Sequence, residues 1–390
     1  MRILIVLTYF QPHKSGLTVY AVRQARTLAA MGHTVTVLTS QYDRDLPIQE
    51  TMDGVRILRL PVAFRLSKGV IMPSMPFRAW RLIGNTDVVN LHVPQIDAAL
   101  IALLTRLRNK PVVLTYHCDL QMPEGWINQL AGWVATLANR VSAKMAHAIV
   151  HNTRDFAEHS PFLRQYLEKL VVIQPPIINA PVSTEDVYAF CEKYDIDPGR
   201  RIIGMVARLA TEKGVEYLVQ AMPVVLEAVP DVLVVFVGEY QNVFGEQVYK
   251  EKLLPMINAL GDHWVFLGVV SEKEKAAFYD LCDLLVLPSI NSTESFGMVQ
   301  VEALTSGTPV VATDLPGVRQ PVVTSGMGEI VPAMDAVALG QAIIKVLNAG
   351  LKVDPDLVNH LSCHYAPETV AEAYDALYRE LIGENGQPAA

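Results

Sequence analysis

Leu284 to Pro309 reads LLVLPSINSTESFGMVQVEALTSGTP. Its first four residues are an apolar run that Pro288-Ser289 ends abruptly, the pattern of a short buried strand. After a polar loop, Phe296 to Leu304 reads as a helix stopped by Gly307, with Ser295 as N-cap. The backbone N–H groups of Gly297 and Met298 would then point outward at the carboxyl end of a strand, where an anion binds. Glu294 and Glu302 flank that place in the form Glu-x7-Glu. In an arbitrary α/β protein such a pair is more often a dipole-favoured acid plus a solvated surface residue, so its meaning depends on its surroundings.

The surroundings are two series of short apolar runs. Residues 2–7, 34–39, 55–60, 87–91, 111–115, 147–151 and 170–173 form the first, and 201–207, 232–237, 264–267, 284–287 and 309–312 the second. Helical patterns lie between them, among them Val19–Met31 with Gly32 at its end, Gln95–Leu107, and a helix opened by the Ser271-x-x-Glu274 capping box. Near-continuous apolar strands alternating with helices indicate an α/β fold of doubly wound parallel sheets. At 390 residues, two domains are expected. The proline-rich stretch 174–199 is read as their linker, dividing a first domain 1–180 from a second 181–365, with a terminal helix in 366–390. Two such domains leave a central cleft between the carboxyl ends of their sheets, where ligands bind.

The net charge of −8 conceals a split. Residues 1–180 carry 19 Lys and Arg against 11 Asp and Glu, whereas residues 181–390 carry 13 against 29. A basic first half suits an anionic lipid surface or acidic ligand, or is simply solvated. Four scattered cysteines without a close pair fit reduced thiols and a cytoplasmic setting. Met1–Leu7 is too short for a signal peptide and reads as a first strand. No apolar run is long enough to span a bilayer.

Functional residues should follow strands. Arg208 and Lys213-Gly214 follow 201–207, and two cations near a helix start suit a diphosphate. Gly16 follows the first strand, where a side chain would block a phosphate. His117 ends the strand 111–115; a lone histidine is more often structural, but this one sits at the expected cleft rim. His147 and His151 bracket a strand, where i, i+4 spacing does not converge on a metal. Asp-x-Asp triplets at Asp43/Asp45, Asp195/Asp197 and Asp354/Asp356 share no context, so no metal is expected.

Taken in order, these elements resemble a family 4 glycosyltransferase of GT-B fold over nearly the whole chain. The resemblance rests on LPSINSTESFGMVQVEALTSGTPVVAT, Arg208-Leu209 with Glu212-Lys213-Gly214, Phe266-Leu267-Gly268, and Gly32-His33-x-Val35-x-Val37. It implies a retaining, metal-independent hexosyltransferase with no cofactor beyond a nucleotide-sugar co-substrate, UDP- or GDP-linked. By the resemblance, Glu302 would bind the donor ribose, Arg208 and Lys213 the diphosphate, and Phe266 and Leu267 would frame the base. Glu294, Phe296, Gly297, Met298 and Val299 would hold sugar and phosphate, and His117 would face the sugar from the opposite wall. Tyr9, His117 and Asp119 are the candidate acceptor residues. The family's Gly-Gly in the first loop is Ser15-Gly16 here, so only Gly16 carries over, and its Gly-x-Gly is Gly238-Glu239-Tyr240. The terminal helix, with Val370, Tyr374, Leu377, Tyr378 and Leu381 on one face, would cross back to the first domain.

Arg65, Lys68, Arg78 and Arg81 lie among Phe64, Phe77 and Trp80, and Arg106, Arg108 and Lys110 form a second basic cluster. Such mixtures dock on anionic membranes, as in the phosphatidylinositol mannosyltransferases this chain partly resembles. A lipid or lipid-linked glycan acceptor at the inner face of the membrane is therefore expected, with a small soluble acceptor as the alternative. No nucleic-acid partner is expected. A nicotinamide dehydrogenase would need Gly-x-Gly-x-x-Gly after a strand, which is absent. A nucleotide-sugar epimerase of similar fold stays open.

Overall fold

The apolar runs form two parallel sheets in the computed structural model, which describes residues 1–66, 69–119, 126–243 and 245–386. They belong to two compact units, Met1–Pro176 with Tyr365–Ala390, and Ile177–His364.

In the first unit the chain runs β1 (Arg2–Val6), α1 (Gly16–Ala30), β2 (Thr34–Gln41), β3 (Gln49–Met52), β4 (Val55–Pro61), β5 (Phe64–Leu66), β6 (Gly69–Ile71) and α2 (Met75–Ile83). It continues through β7 (Val88–Val93), α3 (Ala98–Leu107), β8 (Val112–Tyr116), α4 (Trp126–Met145), β9 (Ala148–His151), α5 (Arg154–His159) and β10 (Leu170–Val172). The sheet order is β10-β9-β8-β7-β1-β2-β4-β3, and only the edge strand β3 is antiparallel. Strand order reverses about β1, so β1 and β7 flank the switch point where such sheets bind ligands.

In the second unit the order is α6 (Thr184–Tyr194), β11 (Arg201–Val206), α7 (Val215–Ala228), β12 (Val232–Val237), α8 (Gln247–Asn258), β13 (Trp264–Gly268) and α9 (Glu272–Leu281). Then come β14 (Leu284–Leu287), α10 (Met298–Leu304), β15 (Val310–Thr313), α11 (Gln320–Ser325), β16 (Gly328–Val331), α12 (Ala336–Ala349) and α13 (Pro355–His364). All six strands are parallel, in the order β13-β12-β11-β14-β15-β16, which puts the switch point between β11 and β14. The helix α6, inside the proline-rich stretch, packs on α9.

The last helix, α14 (Pro367–Gly386), packs on α1. Its buried face is polar as well as apolar. Tyr374 hydroxyl lies 2.9 Å from that of Tyr20 and 3.0 Å from Thr115, while Tyr378 accepts from Asn90 at 2.8 Å. A buried phenol needs a partner, and this chain of partners ties α14 to β7, β8 and α1. Among the described residues no helix is long and apolar enough to cross a membrane.

Candidate functional site

The loops after β11 and β14 meet at the second unit's switch point. Gly214 brings them together: its φ is +63°, and a Cβ there would lie 2.0 Å from the Pro288 carbonyl oxygen. Only a glycine allows both that backbone and that approach. The contact sets Lys213 Nζ 2.6 Å from Glu294 Oε2, with the two side chains only 20% and 16% exposed. Arg208 is set differently. It pairs with Glu212 at 3.0 Å and is 48% exposed.

The helix start differs from its sequence reading. Ser295 does not cap it; Gly297 does, at φ +77°, and α10 begins at Met298 with no side-chain cap. A Cβ on Gly297 would meet Leu287 Cδ2 at 2.4 Å, so the chain turns there, and Phe296 is buried ahead of the helix instead of opening it. Val299 follows in the first turn.

Glu302 is buried on α10, where Tyr279 donates to its Oε2 at 2.9 Å and Lys275 lies 3.2 Å away. Lys275 also pairs with Glu272 at 3.2 Å. Neither Lys275 nor Tyr279 stands out in the sequence; the signal was their i, i+4 spacing on the helix preceding β14. Phe266 stacks on Tyr240 at 4.4 Å beside Leu267 on the edge strand β13.

In the first unit, Gly16 opens α1 instead of standing in the loop, because Ser15 caps the helix by accepting from Thr18 N–H. His117 is not a lone histidine. Its Nε2 lies 2.9 Å from Nδ1 of His92, at the end of β7, and the rings stack at 5.1 Å. Burial pulls His92 down to about 3 and His117 well below the ordinary histidine value, so both are neutral and share one proton in that bond. His151, also buried, is pulled down to about 4.

Among the described residues, several buried polar atoms here have no partner: His92 Nε2, Gln95 Nε2, His151 Nε2 and Asp119 Oδ2. The other Asp119 oxygen accepts from Tyr116 at 2.8 Å and Ser160 at 2.6 Å. Asp97, after β7, is raised to about 6 by burial. Tyr9 stacks on His13 at 4.8 Å and meets Tyr42 edge-on. His92, Gln95 and Asp97 escaped the sequence reading because strand β7 was ended at Leu91 and its following loop was given to a helix.

His147 and His151 do not converge: each uses Nδ1 as acceptor, from Val112 N–H and Thr153 N–H respectively. Of the basic–aromatic group, Arg65 donates to the Tyr42 carbonyl at 2.7 Å, and Arg108 lies 3.8 Å from the Trp80 ring centroid. Arg78 and Arg81 stand exposed on α2, and Lys68 lies outside the described residues.

The glycosyl transferases group 1 family model matches residues 189–359, and the glycosyl transferase 4-like domain model matches residues 15–176. The lipopolysaccharide core biosynthesis mannosyltransferase LpcC of Rhizobium leguminosarum bv. viciae is 33% identical, over 98% of this chain and 97% of that one. The chain belongs to the family 4 glycosyltransferases. A phosphatidyl-myo-inositol mannosyltransferase of Mycobacterium leprae is 28% identical over 89% of this glycosyltransferase and 87% of that protein. The Anabaena protein Alr3699/HepE, solved in complex with UDP, shares the fold at 18% identity and a TM-score of 0.74, covering 97% of this chain and all of that one. The two sheets with their flanking helices are those of a GT-B fold.

Proposed function

We propose that this glycosyltransferase moves a hexose from a UDP- or GDP-linked donor to a lipid or lipid-linked glycan, with retention and without a divalent cation. Lys213 against Glu294 at the switch point carries this reading. A diphosphate leaving group develops negative charge, and a partly buried ammonium held in place stabilises it more than a solvated one does. Arg208 adds a forked cation from the loop edge. These two supply the neutralisation that a metal supplies elsewhere.

Glu294 then accepts from sugar hydroxyls, beside the backbone of Phe296, Gly297, Met298 and Val299. Glu302, its carboxylate held by Tyr279 and Lys275, binds the ribose, and Phe266 and Leu267 frame the base. Both curated relatives named above are mannosyltransferases, so mannose is the first sugar to test. In the first unit, Gly16, Tyr9, Asp119 and the His92–His117 pair are the groups for acceptor and transferred sugar.

An anionic membrane surface as partner is supported by what α2, α3 and α4 expose. Phe77, Trp80, Leu103, Leu107, Trp133 and Leu137 are uncovered on α3 and on α2 and α4, which both pack on it, and Arg78, Arg81, Arg106 and Arg140 are exposed on the same helices. Aromatic and basic residues on one helical layer suit the headgroup region at the cytoplasmic face.

A thermal-shift series with UDP, GDP and ADP identifies the base, because the nucleotide that binds raises the melting temperature by mass action. Incubating its hexose derivative with a lipid extract should then yield free nucleoside diphosphate together with a glycosylated lipid. A changed sugar still attached to its nucleotide would make the protein an epimerase instead.

A further inference from the structure

A concave site lies on the first unit, beside α2. It is a cavity of about 600 Å³ between α2 and the outer strands β4 and β3, and Arg56, Arg59, Arg78 and Arg81 all line it. Among the described residues no acidic residue lines it.

The four arginines are not equivalent. Arg59 is buried and compensated: its guanidinium lies 2.5 Å from Glu50 and donates to the carbonyls of Gln11 and Pro47. Arg56 makes a neutral hydrogen bond to Gln49 at 3.2 Å. Among the described residues, neither it nor Arg78 nor Arg81 forms an ion pair. Arg78 and Arg81 are i, i+3 on α2 and therefore share a face. Arg81 gains a little from the helix C-terminus; Arg78 does not. Like charges gathered on a concavity repel one another unless an anion joins them. The floor includes Leu58 and Leu60.

We propose that this cavity binds the phosphate of an anionic amphiphile. Guanidinium forks match phosphate oxygens two at a time, and the leucine floor accepts the adjoining apolar segment. The phosphate can belong to a membrane lipid headgroup or to a soluble phosphorylated compound. Only the first source rests on the membrane reading proposed above.

The test has two arms, both in a Lys213→Ala, Arg208→Ala background so that the second unit's phosphate-binding cations do not compete. Glycerol 3-phosphate is titrated by calorimetry, and flotation is measured with phosphatidylcholine vesicles doped with phosphatidic acid. Arg78→Ala with Arg81→Ala should weaken both by about tenfold, the worth of one charge-assisted contact. Arg56→Ala should weaken them less. Arg140→Ala with Lys144→Ala on α4 is the control and should leave the glycerol 3-phosphate titration unchanged. Circular dichroism confirms that each variant is folded.

Saturable glycerol 3-phosphate binding lost in the α2 variant, without vesicle binding, keeps the site and removes the membrane reading. Vesicle binding that falls equally in both pairs, without saturable glycerol 3-phosphate binding, reflects diffuse charge and overturns the site while leaving the membrane reading standing. Absence of binding in both arms also overturns it.

Discussion

The two units have the same layered plan but furnish their switch points with opposite chemistry. In the second unit the groups are ions held in pairs, Lys213 with Glu294 and Lys275 with Glu302. In the first they are His92, Gln95 and His151, neutral, buried and short of partners among the described residues. Fixed charges suit a ligand whose charge is always the same, such as a diphosphate. Neutral donors and acceptors suit hydroxyl groups, which a charge would bind without discrimination. The comparison therefore predicts that the second unit fails by loss of charge and the first by gain of it.

The largest effect should come from Lys213→Ala. If this partly buried cation faces the leaving group as proposed, its removal should lower kcat by about 10²–10³, the loss typical of one preorganised electrostatic contact. Arg208→Ala should cost only about tenfold, since its guanidinium is half exposed and screened. Steady-state rates with the cognate donor decide it. Equal losses in the two variants would erase the distinction between a held charge and a solvated one.

Next is Lys275→Met. It leaves the buried Glu302 carboxylate with Tyr279 but without its cation, which should destabilise the second unit by about 3 kcal/mol. Adding Glu302→Gln should restore part of that stability while leaving donor affinity low. Urea unfolding of the single and double variants measures the coupling. Simple additivity would show that the pair does not act as one.

How much of this was legible in the sequence follows the same divide. The second site is written in contiguous motifs, because Gly214 and Gly297 must be glycines for their loops to approach β14, and the charged residues sit directly beside them. Strand alternation also exposed both parallel sheets. What stayed hidden was assembled across strands. His92 and His117 are 25 residues apart and meet only because β7 pairs with β8. Lys275 and Tyr279 look like ordinary residues of an amphipathic helix until α10 packs on α9 and puts Glu302 against them. The N-cap was misplaced at Ser295 for a local reason: Ser is the better capping residue by type, but the close approach of Gly297 to Leu287 turns the chain two residues later.

The last prediction tests the first unit. His92 is held down to about 3 and His151 to about 4 by burial, below the ordinary value of about 6.5 that the unfolded chain has. The unfolded state therefore takes up protons that the folded state refuses, and stability must fall as pH drops below about 6.5. Between pH 7 and pH 5 each of the two histidines should cost about 2 kcal/mol, and His117 adds a loss of the same sign. Asp97 works against them. Raised to about 6, it binds its proton first in the folded state and returns about 1 kcal/mol over the same interval. Urea unfolding at the two pH values should thus show a net loss on acidification, smaller by about 2 kcal/mol in His92→Asn. An unchanged pH slope in that variant would mean that His92 takes up its proton as readily in the folded chain as in the unfolded one, and the first unit's site would then become ionic on mild acidification.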